Sequence, residues 1–198
     1  MILNPSFSDV QLLKIIVRDL GITGNHRNKY EIIDALNRFL LEETAKGHNV
    51  VLIIDEAQNL RVKQLEQIRL LSNLETEKEK LLQIVLVGQP ELNELLALPS
   101  LRQLNQRVAV RYHMLPLQRD EVDKYIKHRL VVAKDKSGNN NKVSFTDSAI
   151  DSIFNYSQGT PRMVNILCDR ALLAGFTEDT FTINEQIIQR CAQEVGKA

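Results

Sequence analysis

The stretch Val50-Val51-Leu52-Ile53-Ile54-Asp55-Glu56-Ala57-Gln58-Asn59-Leu60 decides how the rest of the chain is read. Its first five residues form an unbroken aliphatic run of strand length, which predicts a strand buried on both faces, because a half-exposed strand would alternate apolar with polar residues. Asp55 and Glu56 then fall at its carboxyl edge, where open α/β sheets bind their ligands. Nucleotide hydrolysis is the chemistry that uses such a pair. The first acid holds Mg²⁺ through its water shell, and the second polarises the attacking water. An acid pair after a strand can equally cap a following helix, where carboxylates meet the positive end of the dipole, so the surrounding chain has to decide between the two.

Upstream, Met1-Ile2-Leu3-Asn4 reads as the tail of a strand broken at Asn4-Pro5. Ser8 and Gln11 form a capping box for a helix with Val10, Leu13, Ile16, Val17 and Leu20 on one face and Gly21 as its stop. A second helix is predicted from Tyr30 to about Lys46, with Gly47 as terminator. Downstream, Val62, Leu65, Ile68, Leu71 and Leu74 recur every third residue on a third helix. Glu75 to Lys80 reads as a solvated turn, and Leu81 to Gly88 as a second continuous apolar strand ending in Gly88-Gln89-Pro90. A short leucine-rich helix follows to about Leu98. Strand and helix alternate, as in parallel βαβ units.

Val108, Val110, Tyr112 and Met114 alternate with Arg107, Ala109, Arg111 and His113, which predicts a last strand with basic residues on one side. Beyond Pro116 only helices are expected: Asp120 to about Lys134, Asp147 to Ser157, Thr160 to Ala174 with Pro161 in its first turn, and Ile183 to Val195 with a Thr182 to Glu185 capping box. A polar loop over Lys136 to Lys142 separates the first two. The domain boundary is placed near Leu117, giving an α/β core over residues 1–117 and a helical domain over 118–198.

Lys plus Arg and Asp plus Glu number 25 each, so no bulk field argues for a polyanionic partner, and no basic stripe with interleaved aromatics points to nucleic acid. Cys168 and Cys191 fall inside helical patterns and read as reduced, buried residues of a cytoplasmic protein. No window approaches the roughly 18 apolar residues of a membrane span, so any membrane association is expected through segments outside this chain. His26, His48, His113 and His128 are scattered without metal-ligand spacing.

Four features stand in one order: Asp55-Glu56 after a strand, Gln89 at the end of the next, Arg107 and Arg111 on the last, and Gly159-Thr160-Pro161-Arg162 opening a helix. Gln89 can hydrogen-bond a γ-phosphate or the attacking water, Arg162 can reach the phosphates, and one of Arg107 and Arg111 can stabilise transition-state charge in a neighbouring subunit. Singly, each also reads as an ordinary turn, strand or helix-surface residue.

This arrangement resembles the AAA+ ATPases. A more specific resemblance, covering nearly the whole chain, is to the general secretion pathway protein A family and its pilus-biogenesis relatives. It is carried by Leu52 to Leu60, by Leu70-Leu71-Ser72-Asn73-Leu74-Glu75-Thr76, by Val85-Leu86-Val87-Gly88-Gln89-Pro90-Glu91-Leu92, by Leu104-Asn105-Gln106-Arg107-Val108 and by Gly159-Thr160-Pro161-Arg162. The resemblance implies a parallel-sheet P-loop NTPase core followed by an all-helical lid. It implies ATP and Mg²⁺ as ligands, with Asp55 on the metal, Glu56 and Gln89 at the reacting phosphate, Arg107 or Arg111 as arginine finger, and Gly159, Pro161 and Arg162 beside the nucleotide as sensor 2. Homo-oligomers, secretion or pilus-assembly partners, and a place at the cytoplasmic face of the inner membrane are implied as well. DNA-handling helper ATPases of transposition or replication initiation share the architecture, and a non-catalytic interaction module is the third reading. No Gly-x-x-x-x-Gly-Lys-Ser/Thr run occurs in residues 1–198. The expectation is therefore a core that lacks the P-loop strand and binds nucleotide poorly. Its Leu81 to Val87 and Val108 to Met114 strands are expected to pair directly or to find a second copy.

Overall fold

The computed structural model describes residues 8–76, 79–133 and 143–195. The expected strand tail at Met1 to Asn4 and the whole 136–142 loop lie outside them. Ser8 and Gln11 close the capping box: Ser8 Oγ accepts the Gln11 N–H at 3.2 Å, and Gln11 Oε1 accepts the Ser8 N–H at 2.8 Å. They start α1 (Asp9–Asp19), and Gly21 follows its end with φ 76°. Asn28 Oδ1 takes the Glu31 N–H and caps α2 (Lys29–Ala45). The two helices bury Leu12, Leu13, Ile16, Ile32, Leu36 and Leu40 against one another and against the strands.

The strand β1 (Val50–Ile54) pairs in parallel with β2 (Leu82–Leu86), in register from Val50 opposite Leu82 to Ile54 opposite Leu86. The crossover between them is α3 (Val62–Leu71), which puts Leu65, Ile68 and Leu71 into the same core. Glu75 and Lys80 bridge antiparallel at the base of the charged turn. After β2 come α4 (Glu91–Leu96), a 3₁₀ turn over Pro99–Leu101, and α5 (Arg102–Arg107).

Three expectations are corrected here. The strand pair is buried on one face only: Ile54 and Leu82 are inaccessible, whereas Val51, Ile53, Val85 and Val87 are 43–65% exposed. An unbroken apolar run shows that both faces of a strand are apolar; it does not show that this stretch of chain supplies a layer for each. The predicted last strand does not form. Residues 108–114 pair with no strand among the described residues, and Val110, Tyr112 and Met114 are over 80% exposed. Alternation marks a strand only where a partner edge receives it, and the expected direct pairing with β2 is absent. Arg107 accordingly ends α5 instead of opening a strand.

Contacts divide the chain into residues 1–111 and 112–198. In the second unit α6 (Arg119–Ala133), α7 (Asp147–Ser157), α8 (Pro161–Thr177) and α9 (Glu185–Val195) enclose Val122, Ile126, Ile153, Val164, Leu167 and Ile188. Two short strands that the sequence reading missed, β3 (Ser144–Phe145) and β4 (Thr182–Ile183), pair in parallel. Thr182 is therefore strand, and Asn184 starts α9, its Oδ1 accepting the Ile187 N–H at 3.1 Å. Gly159 has φ 71°, and a Cβ there would lie 2.0 Å from the Leu117 carbonyl oxygen. Its own carbonyl accepts the Leu117 N–H at 2.9 Å. This glycine is required both by its backbone angle and by a neighbouring chain that leaves no room.

Candidate active site

Parallel pairing in this register brings the carboxyl ends of β1 and β2 level. The ladder runs one step past both strands, Val87 N–H donating to Ile54 O and Ala57 N–H to Val87 O, each at 2.9 Å. Asp55-Glu56 and Gly88-Gln89, 31 residues further along in sequence for Gln58 to Gln89, thereby flank one point of the sheet edge. Asp55 and Glu56 are both exposed. Asp55 Oδ1 accepts the Glu56 N–H at 2.8 Å. Glu56 sits in the left-handed region, φ 53° and ψ 37°, a conformation that costs a non-glycine residue about 1–2 kcal/mol. It opens a 3₁₀ turn over Ala57–Asn59, closed by Asn59 N–H on Glu56 O and seated on the inaccessible Ala57. The chain spends backbone energy to turn the second carboxylate sharply off the strand end.

One member of this site was not picked out from the sequence. Gln58 Nε2 donates to Glu56 Oε2 at 2.7 Å, and Gln58 Oε1 accepts the Gln89 N–H at 3.1 Å. The signal that points to it is Gly88, whose φ is not positive. A Cβ at Gly88 would come within 2.6 Å of Gln58 Oε1 and 3.2 Å of Leu92 Cδ2, so glycine leaves room for that amide and for the start of α4.

The remaining candidates fall elsewhere on their units. Arg107 is exposed, and its Nη1 donates to Ser72 O and Oγ beyond the end of α3 at 3.4 and 3.5 Å. Arg111 is exposed and hydrogen-bonds Asn105 through Nη2. Each guanidinium thus bonds within its own unit, Arg107 at long distances and Arg111 more closely. In the second unit Pro161 and Arg162 are the first two residues of α8, both exposed, while Gly159 is buried against Leu117.

For a nucleotide with Mg²⁺, these residues fit one side of the ligand. Asp55 offers a hard carboxylate oxygen in solvent beside Glu56, and Gln89 lies across from them, the donor types that suit a hydrated divalent ion and its phosphate. No group of three His, Cys, Asp or Glu among the described residues forms a metal cage, so the pair would share the ion with phosphate and water. The phosphate cradle has no counterpart: residues 1–198 contain no Gly-x-x-x-x-Gly-Lys-Ser/Thr sequence.

A family model described as an AAA domain matches residues 1–96. Over 196 residues the chain is 42% identical to general secretion pathway protein A of Aeromonas hydrophila, an alignment covering 98% of this chain and 35% of that protein. The chain carries an AAA domain over residues 1–96. It spans about a third of the length of the curated relative it matches. Solved structures show the same fold: Cdc6p from Pyrobaculum aerophilum, 18% identical with TM-score 0.65, and the Aeropyrum pernix ORC2 protein in its ADP form, 14% identical with TM-score 0.68, each covering 94% of this chain and 50% of theirs. A Thermotoga maritima RuvB mutant, 18% identical with TM-score 0.56, covers 96% of this chain and 59% of its own. The fold class is thus that of P-loop AAA+ proteins, a parallel-sheet α/β core followed by helices. Among the described residues no helix is long and apolar enough to cross a membrane.

Proposed function

We propose that this AAA+ chain supplies the hydrolytic edge of an ATPase that serves protein secretion or pilus assembly at the cytoplasmic face of the inner membrane. The observation that carries the reading is the convergence of Asp55-Glu56 with Gly88-Gln89 at one parallel strand edge, in a chain 42% identical to a general secretion pathway protein. When bound, Mg²⁺ neutralises phosphate charge during transfer. Asp55 would hold the ion, Glu56 would draw a proton from the attacking water, and Gln89 would orient that water or a γ-phosphate oxygen. Residues 118–198 act as the lid, with Arg162 answering to the phosphates at the start of α8 and Gly159 and Pro161 shaping that start. One of Arg107 and Arg111 serves a neighbouring copy in a homo-oligomer; both residues are exposed, as such a role requires.

Calorimetry of residues 1–198 with ATP and Mg²⁺ is expected to show binding too weak to measure, because these residues act on phosphates that no loop of this sequence cradles. Micromolar affinity would overturn that expectation. Joining a phosphate-loop strand of the AAA+ family ahead of Met1 should give turnover, and Glu56→Gln in the joined protein should lower it by about 10²–10⁴-fold while sparing ATP binding. Full hydrolysis by the Glu56→Gln form would remove Glu56 from its role.

A further inference from the structure

We propose that Gln58 is a positioning residue that fixes the Glu56 carboxylate and ties it to the 88–89 turn; this rests on the assignment of Glu56 as the group that polarises the attacking water. The side-chain amide of Gln58 spans two structures that the sequence separates. Its Nε2 holds Glu56 Oε2 at 2.7 Å, and its Oε1 holds the Gln89 N–H at 3.1 Å. The amide can point only one way here. Turned over, it would set its NH₂ group against the Gln89 N–H and its oxygen against a carboxylate, losing both bonds. A hydrogen bond to an ionised acceptor is among the stronger kinds, and the half-buried Gln58 gives the exposed Glu56 side chain the one fixed anchor it has among the described residues.

The glycine at position 88 is a second, independent observation. Its backbone angle does not call for glycine, yet a Cβ would stand 2.6 Å from Gln58 Oε1, 3.2 Å from Leu92 Cδ2 and 3.3 Å from the Gln58 backbone nitrogen, the amide oxygen being the nearest. The amide oxygen occupies the space that a side chain at position 88 would need. Both ends of the link are also rigid, since Ala57 N–H on Val87 O locks the turn after β1 to the end of β2. With Oε2 held, Glu56 Oε1 is the oxygen presented to water. A load on Gln89, such as a phosphate drawing on its side chain, passes through one amide to the carboxylate. Because a misplacement of about 1 Å can cost about 100-fold in rate, such an anchor acts on turnover and not on affinity.

In the chain as it stands, ¹⁵N NMR reads the link directly. The Gln58 side-chain amide should shift on Glu56→Gln, and Gly88→Ala should move both that amide and the Gln89 N–H. A Gln58 amide at free-amide positions that neither substitution moves overturns the proposal. In the phosphate-loop-joined protein, Gln58→Leu and Gln58→Glu should each lower kcat about 10- to 100-fold with KM within about twofold. Gln58→Glu is the sharper variant, because it keeps the acceptor for Gln89 and replaces only the donor toward Glu56, so a purely structural role would survive it. Wild-type or raised kcat in Gln58→Glu, with Glu56→Gln inactive, overturns this proposal alone. Hydrolysis surviving Glu56→Gln overturns the base assignment and this inference with it. In a Glu56→Gln background, loss of Gln58 should have no further effect on turnover.

Discussion

The two units of the chain are closed to different degrees. Residues 112–198 wrap four helices around a core in which Val122, Ile153 and Ile188 have no accessible surface, with a two-residue strand pair as a clasp. Residues 1–111 bury one side of β1 and β2 against the core shared with α1, α2 and α3 and leave the other side, led by Ile53 at 65% exposure, open. Helices meet their apolar stripes on each other, so a bundle completes itself from local sequence. A sheet apolar on both faces needs a layer on each. The proposed chemistry lies on the less closed unit, at the edge of the layer that depends most on what packs around it.

The largest effect should come from the closed unit. Gly159→Ala combines a positive φ with a Cβ placed against the Leu117 carbonyl, and should cost the second unit about 3–5 kcal/mol. Urea unfolding followed by probes in each unit should show the second melting early while the first holds. If both units fall together, they are not separately closed.

Next comes a paired test of the open face. Ile54→Ala, at 1% exposure, should cost about 2–4 kcal/mol. Ile53→Ala, one residue earlier on the exposed side, should change stability by about 0.5 kcal/mol or less. Equal losses would mean that the Ile53 face is covered in solution.

The smallest effect separates the units by pH. Both cysteines belong to the second unit. Burial, helped by the nearby Asp169 carboxylate, pushes the Cys168 thiol from its ordinary 9.0 up to about 12. The neutral thiol is therefore favoured by folding. Its contribution is whole below about pH 9, where the unfolded thiol is still protonated, and is lost as pH rises toward about 12. The slope is at most about 1.4 kcal/mol per pH unit. Alkaline titration should weaken the second unit before the first, and Cys168→Ala should flatten that part of the profile. An unchanged profile would place the thiol in solvent.

Sequence alone was sufficient wherever a local signal had a local cause. The Ser8 to Gln11 box, the stop after α1 and the aliphatic stripe of α3 all follow from contacts within a few residues. The strand ends carrying Asp55 and Gln89 were legible for a related reason, since apolar runs of strand length joined by a helical stripe leave few arrangements besides a parallel pair. Residues 108–114 misled because alternation is a request for a neighbouring edge, and no described strand answers it. Asn184 displaced Thr182 as the start of α9 because Thr182 was drawn into a bridge with Ser144, 38 positions away in sequence, a competition that spacing cannot show. Gln58 stayed hidden for the same reason as Gly88: the explanation for each is the other, and they meet only after β1 and β2 are in register.

The sequence of β2 has a further consequence. From Leu82 to Val87 it runs Leu-Gln-Ile-Val-Leu-Val, six residues with neither charge nor proline. Hydrogen bonds hold it to β1 along one edge, and no described strand lies along the other. Natural sheets guard such an edge with lysine, proline or a bulge, and a short uncharged segment of high β-propensity is the composition from which amyloid zippers assemble. For the isolated chain, loss by self-association is then expected to rise with concentration. Association through that edge would start from folded molecules, without prior melting.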